Sequence, residues 1–253
     1  MEAREYQAHF ELEERHWWFR SRRRLAFRIL GRALPRDGSP RILDAGCGTG
    51  INLAGMARFG RVSGCDFATE ALAFCRQRGL DGLVRADVNR LPYREDAFDL
   101  VTFFDVLYHQ AVTDDAAVLR DAFHILKPGG YVLIMDSAFD FLRGPHDAAM
   151  HGARRYTRRE LVAKCEAAGL QPVHATYFYM TTFPAVYLKR RVERRRAARH
   201  PEMETRSDLA PTARPINAVL GGLLGLEGRW ASRRRLPFGS SVVVLARKPK
   251  LTS

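Results

Sequence analysis

Residues 41–50 read R-I-L-D-A-G-C-G-T-G, a pattern that can build a ligand cradle from main chain alone. A short apolar run ends in an acid, Asp44, and glycines then alternate at Gly46, Gly48 and Gly50. Glycine permits left-handed backbone angles and lets a ligand approach with no Cβ in the way. A strand that breaks into such a loop and re-enters a helix leaves a nucleotide-sized recess at the carboxyl edge of a parallel sheet. A second apolar run, Val62–Cys65, ends in Asp66, 22 residues after Asp44. An acid at that distance, at the tip of the next strand, is placed to accept hydrogen bonds from ribose hydroxyls. A glycine turn with no ligand is the competing reading, and the second acid argues against it.

The charge of the loop sorts the adenosine cofactors. A phosphate-binding loop of the G-x-x-x-x-G-K-[ST] type needs its lysine as counter-charge. Here no Lys or Arg lies between Asp44 and Arg58. Dinucleotide folds use G-x-G-x-x-G, whereas this loop is G-x-G-x-G with an acid two residues before its first glycine. A carboxylate there repels a pyrophosphate and suits a cofactor that carries positive charge. S-adenosylmethionine, with an ammonium and a sulfonium, fits better than NAD.

The segment Leu43–Gly50 resembles the first motif of the class I S-adenosylmethionine-dependent methyltransferases, and later segments resemble that family in order. The resemblance implies that Asp44, Ala45, Gly46, Cys47, Gly48 and Gly50 hold the methionine end of the cofactor. It places Asp66 at the ribose and Phe67 against adenine. Asp87 and Val88, before Leu91-Pro92-Tyr93, match the acid that receives the adenine amino group and its neighbour. Phe98–Val101 leading to Asp105-Val106-Leu107-Tyr108-His109 resembles the fourth strand and the loop beneath the methionine part. Leu126-Lys127-Pro128-Gly129-Gly130 resembles the turn into the fifth strand. The likeness runs from about Arg41 to Tyr179 and implies methyl transfer to a small-molecule or lipid-like acceptor, by O-, N- or C-methylation.

These residues need a frame. Apolar runs at Arg41–Ala45, Val62–Asp66, Leu83–Ala86, Phe98–Phe104 and Tyr131–Asp136 alternate with helical patterns at Ile51–Phe59, Thr69–Arg78 and Asp115–Leu126. Such alternation implies a parallel sheet covered on both faces. Thr157 with Glu160 forms a capping box for a helix over Arg158–Ala168, ended by Gly169. Val173–Tyr179 and Ser241–Ala246 complete seven strands. The expected fold is an α/β, Rossmann-like, mostly parallel sheet, its last strand antiparallel by the family resemblance. A helical lid is expected over 1–35, a core over 36–182, a basic helical insertion over 183–238, and a final strand and tail over 239–253.

Outside the cofactor motifs, Trp17-Trp18-Phe19 reads either as a buried anchor or as a lid. In the lid, Trp18 would face the sulfonium through cation–π attraction and Arg22 or Arg23 would pair with the cofactor carboxylate. Tyr108 and His109 follow the fourth strand, and His146-Asp147, His151 and Arg154-Arg155-Tyr156 occupy the loop after the fifth. His109, His146, Asp147 and Tyr108 are the candidate proton acceptors, needed for a hydroxyl or carbon acceptor and dispensable for a neutral amine. None of these spacings is a metal motif.

The chain has 253 residues, 46% hydrophobic and 27% charged, ordinary values for one α/β domain with additions. Four scattered cysteines and no C-x-x-C point to a reducing, cytoplasmic setting. No signal peptide or spanning segment is expected. The net charge of +13 is uneven: residues 183–253 hold 16 Lys and Arg against 5 Asp and Glu. Within them a basic helix at Tyr187–Arg199, a Pro- and acid-rich loop, and the apolar run Ile216–Leu226 fit a segment lying on an anionic membrane. A solvated helix pair at a homodimer interface is the alternative. An RNA methyltransferase gripping phosphates with this insertion is a second functional reading, weakened by the absence of any RNA-binding module. A non-catalytic cofactor-binding protein is a third. Arginines outnumber lysines 36 to 5, a bias that dilutes any inference drawn from arginine alone.

Overall fold

The computed structural model describes residues 3–35, 38–199 and 210–250. Most of the expected Pro- and acid-rich loop lies outside the described residues. In chain order the elements are α1 (Ala3–Leu12), α2 (Trp17–Ala33), β1 (Arg41–Ala45), α3 (Ile51–Met56), β2 (Arg61–Asp66), α4 (Thr69–Gln77), β3 (Leu83–Arg85), β4 (Phe98–Phe104), α5 (Asp115–Ile125) and β5 (Leu126–Ser137). They continue with α6 (Pro145–Ala149), α7 (Arg158–Ala167), β6 (Gln171–Phe178), α8 (Phe183–Arg199), α9 (Arg214–Ala231) and β7 (Ser241–Arg247).

One seven-stranded sheet has the order β3-β2-β1-β4-β5-β7-β6. β7 runs antiparallel to both of its neighbours, and the pairs from β3 across to β5 are parallel. The strands in the middle are covered on both faces, so β1, β4 and β7 are apolar almost without interruption. The strand order reverses between β1 and β4, the point where ligands bind in open α/β sheets.

Local chemistry explains the element ends. Asp114 accepts from the amides of Ala116 and Ala117 and starts α5. Thr157 and Glu160 form the expected reciprocal cap on α7. β5 begins earlier than the apolar pattern suggests. Leu126 already pairs with Phe98, and the Lys127–Gly130 segment bulges before pairing resumes at Leu100 and Tyr131. The apolar run expected at Ile216–Leu226 lies within the longer helix α9, which packs along α2 and touches β6.

Candidate active site

Acids stand at the carboxyl ends of neighbouring strands: Asp66 ends β2, Asp44 is the second-last residue of β1, Asp105 follows β4, and Asp136 lies near the end of β5. Asp87, just past β3, extends the row. The glycine loop sits at its centre, with Gly46, Gly48 and Gly50 all at positive φ. A Cβ on Gly46 would lie 2.6 Å from Val106 Cγ2, so this residue lets β1 and the β4 loop approach each other. A Cβ on Gly48 would meet nothing within 4 Å, which leaves open room beside the main chain.

Asp44 is buried and accepts a 2.6 Å hydrogen bond from Thr102 Oγ1. Burial is the main reason its carboxyl is pushed up to about 7, against the Thr102 bond and with help from Asp66. Among the described residues no Lys or Arg forms an ion pair with it. A buried carboxyl in that state gains from a cationic ligand.

Asp66 spans two backbone amides. Oδ2 accepts from Gly48 at 2.9 Å and Oδ1 from Ala68 at 3.0 Å, so it also fixes the loop. Phe67 beside it is exposed. Asp87 Oδ1 accepts from the backbone and side chain of Asn89, and Val88 packs at the edge of the core. Cys47 and Cys75 approach with sulfurs 3.8 Å apart, and Cys75 Sγ donates to the Gly48 carbonyl at 3.2 Å. All four cysteines are free thiols.

The N-terminal helices close over this rim. In α1, Tyr6 is buried; burial raises its pKa first, then the charges of Asp66 and Glu70. Glu13 accepts from Thr49 Oγ1 in the glycine loop and from Arg78, which also donates to the Thr49 carbonyl. In α2 the arginine facing the strand tips is Arg22. It pairs with Asp105 at 2.8 Å, donates to the Met135 carbonyl at 3.2 Å, and lies over the Trp18 ring at 4.6 Å. Burial opposes its charge, but Asp105, then Tyr179 and Asp136, more than offset this and raise its pKa. The Trp18 ring is parallel to that of Tyr179, whose hydroxyl donates to the Trp18 carbonyl. Trp18 thus already has a cation on one of its faces. Arg23 lies near Glu13, and its Nη1 is buried without a hydrogen-bond partner.

The four candidate proton acceptors differ in what they can do. Tyr108 is buried, and its pKa is raised well above the ordinary value by burial, so it is a neutral donor at physiological pH. Asp147 has both oxygens on Arg155, at 2.7 and 3.1 Å, while Oδ2 also accepts from the Gly144 amide. Burial raises its pKa, but the Arg155 bonds and charge prevail and lower it, so Asp147 ties α6 to the following loop. His109 accepts from the Ala111 amide through Nδ1, which puts its neutral-form proton on Nε2. Burial, above all, pushes its pKa down to about 4. Burial first, and then the charge of His146, lowers the pKa of His9 in α1 to about 4. The structure therefore brings His9 into the set.

Sequence reasoning missed Asp136, Tyr179, Thr102 and His9. Asp136 had a readable signal, an acid ending an apolar strand as Asp44 and Asp66 do. It is fully buried with Oδ2 unpartnered, and its pKa is raised well above normal by burial, then by Asp105. The other three depend on contacts across the fold that no local pattern carries.

Strand order, glycine loop and acidic rim together define the class I, S-adenosylmethionine-dependent methyltransferase fold. Residues 43–134 match a family model described as Methyltransferase domain. Over 99 residues it is 39% identical to the ubiquinone biosynthesis O-methyltransferase of Bordetella bronchiseptica, covering 36% of this chain and 40% of that protein. The protein of the same name from Yersinia pestis is 33% identical over 140 residues, 49% of this chain and 57% of that one. The chain thus matches about half the length of these curated relatives. A crystallised S-adenosylmethionine-dependent methyltransferase from Mesorhizobium loti has a TM-score of 0.57 at 21% identity, covering 88% of this chain and 97% of that one. The [4+2]-cyclase SpnF gives 0.58 at 22%, covering 90% and 81%. At these identities the likeness is one of fold, and a fold alone does not set the reaction.

The residues present fit the cofactor of that class. Among the described residues, Asp44 is a buried carboxyl without a cation and Arg23 has a buried donor without an acceptor, while Gly48 leaves an open approach to the main chain.

Proposed function

We propose that the protein is an S-adenosylmethionine-dependent methyltransferase acting on a small, lipid-like acceptor. The observation that carries this reading is an uncharged glycine loop ringed by acids, with one of them, Asp44, buried and lacking a counter-ion among the described residues. When bound, S-adenosylmethionine supplies a methyl group on a sulfonium, activated for in-line displacement. In this reading Asp44 and the main chain of 45–50 receive the cationic methionine end, and Arg23 receives its carboxylate. Asp66 binds ribose while holding the loop in shape, Phe67 covers adenine, and Asp87 with Val88 meets the adenine edge. Asp105 acts through Arg22, which it holds over Trp18. Positioning supplies much of the rate in such a transfer.

His146 and His9 are the favoured proton acceptors for a hydroxyl acceptor, with His109 behind them because its Nδ1 is engaged. The lipid-like acceptor is supported by the relatives, which are ubiquinone biosynthesis O-methyltransferases. No helix among the described residues is long and apolar enough to cross a membrane, so contact with such an acceptor would be made from the surface.

Titration calorimetry with S-adenosylmethionine and with NADH tests the reading. Binding of the first and not the second is expected, with Asp66→Asn weakening it at least about tenfold. Binding of NADH alone would sink the proposal.

A further inference from the structure

Two helices distant in sequence build one face that the fold leaves bare. α9 lies along α2 in the same direction. Asn217 Oδ1 accepts from the Trp17 amide at 2.7 Å, Arg28 Nη1 donates to the Gly225 carbonyl at 3.1 Å, and Arg32 donates to Ser232. The side of α9 turned inward carries Leu224, Glu227, Gly228 and Ala231. Another side carries Ile216, Val219, Leu223, Leu226 and Trp230, spaced 3, 4, 3 and 4 residues apart, so they form a single stripe. All five are exposed, Val219 at 68% and Leu226 at 65%.

A row of cations borders this stripe. Arg24, Arg28 and Arg32 recur every fourth residue along α2, and Arg229 joins them from α9. Burial lowers the pKa of Arg28 first, then Arg229, Arg24 and Arg32 lower it further, so the four lie within electrostatic reach. α2 contains no acid at all. The one acid of α9, Glu227, is buried and accepts from the amides of Met180 and Thr181.

The geometry points to a docking surface for an anionic lipid bilayer, with the α9 stripe at the acyl boundary and the arginine row on headgroup phosphates. An amphipathic helix with arginines beside its apolar face lies in the interface plane. Each arginine near such a surface adds attraction. A second copy of the chain on the same face would set like charges against each other, which favours the bilayer as occupant. The stripe starts at Ile216, beside Asn217 and hence beside the first residue of the α2 lid. A bilayer seated there adjoins the candidate active site. The cations come from α2, whereas the sequence pattern had pointed to the basic helix α8. Docking needs no cofactor, so this inference stands or falls apart from the methyl-transfer reading.

The test compares the unaltered chain with two double variants, Val219→Ser with Leu226→Ser and Arg24→Glu with Arg229→Glu. Co-sedimentation is measured with mixed phosphatidylglycerol–phosphatidylcholine vesicles and with phosphatidylcholine alone. Thermal melting followed by circular dichroism confirms that each variant folds. The unaltered chain should bind only the anionic vesicles, and each variant should lose at least tenfold in partitioning. A matched charge reversal on α8, Arg195→Glu with Arg196→Glu, should lose less than threefold. Failure of the unaltered chain to bind, or full binding by the serine variant, overturns the proposal. So does a dimer in sedimentation velocity that the serine variant dissociates.

Discussion

The two halves of the candidate site are built by different means. Around β2 and β1 the recess is made of main chain: three glycines at positive φ, with Asp66 holding the Gly48 and Ala68 amides. Around β4 and β5 it is made of side chains from distant segments, with Arg22 joining Asp105 and the Met135 carbonyl, and Tyr179 reaching back to Trp18. The first half depends on backbone angles that tolerate few residue types. The second depends on charge and packing, so its parts fail together when one is removed.

Four tests sharpen or break that contrast. The largest effect is expected for Gly46→Ala, which combines a φ of +75° with a 2.6 Å approach to Val106. Strain and overpacking together should cost about 4 kcal/mol and abolish cofactor binding. Urea denaturation and calorimetry read both, and a loss under about 1 kcal/mol would show that the loop is more pliant than its angles imply.

Arg22→Met comes next. It leaves the partly exposed Asp105 without its cation, and should cost about 3 kcal/mol. Adding Asp105→Asn should recover part of that loss, because it removes the uncompensated charge. The matching change Arg23→Met, at a guanidinium with an unpartnered Nη1, should leave stability within about 0.5 kcal/mol. Equal losses for the two arginines would erase the distinction drawn between them.

A third test uses pH. The Asp44 carboxyl is raised from 3.8 to about 7 in the folded chain, so its contribution favours folding fully below about pH 4. That contribution fades as pH rises through 7. Asp44→Asn should therefore flatten the stability profile over this range and gain on the order of 2 kcal/mol at pH 8 relative to pH 4. Binding of a cationic ligand to the unaltered chain should release protons near neutrality, visible as a buffer-dependent calorimetric enthalpy. An unchanged profile in the variant would mean that Asp44 is already ionised.

The smallest effect is expected for His109→Gln. With Nδ1 on the Ala111 amide, this ring is poorly set to take a proton, so turnover should fall less than about threefold. A loss of a hundredfold or more would return His109 to the centre of the chemistry.

What could be read in the sequence follows the same division. The glycine loop and the acids ending β1 and β2 announced themselves because each is encoded within a few adjacent residues. Arg22 and Arg23 were interchangeable on paper: only the phase of α2 against the sheet tells which one faces Asp105. Asp147 looked reactive beside His146, yet Arg155, eight residues on, folds back to engage it. The stripe on α9 was visible as an apolar run, but the arginines beside it lie some 200 positions earlier in the chain.

The placing of β7 between β5 and β6 has a consequence for biosynthesis. As the polypeptide leaves the ribosome, β6 is made some 60 residues before the strand that joins it to the sheet, while β5 waits with its outer edge unpaired. Bare strand edges invite pairing with other chains. A nascent protein stalled before Ser241 should consequently be a client for chaperones, and its release from them should coincide with the arrival of the final strand.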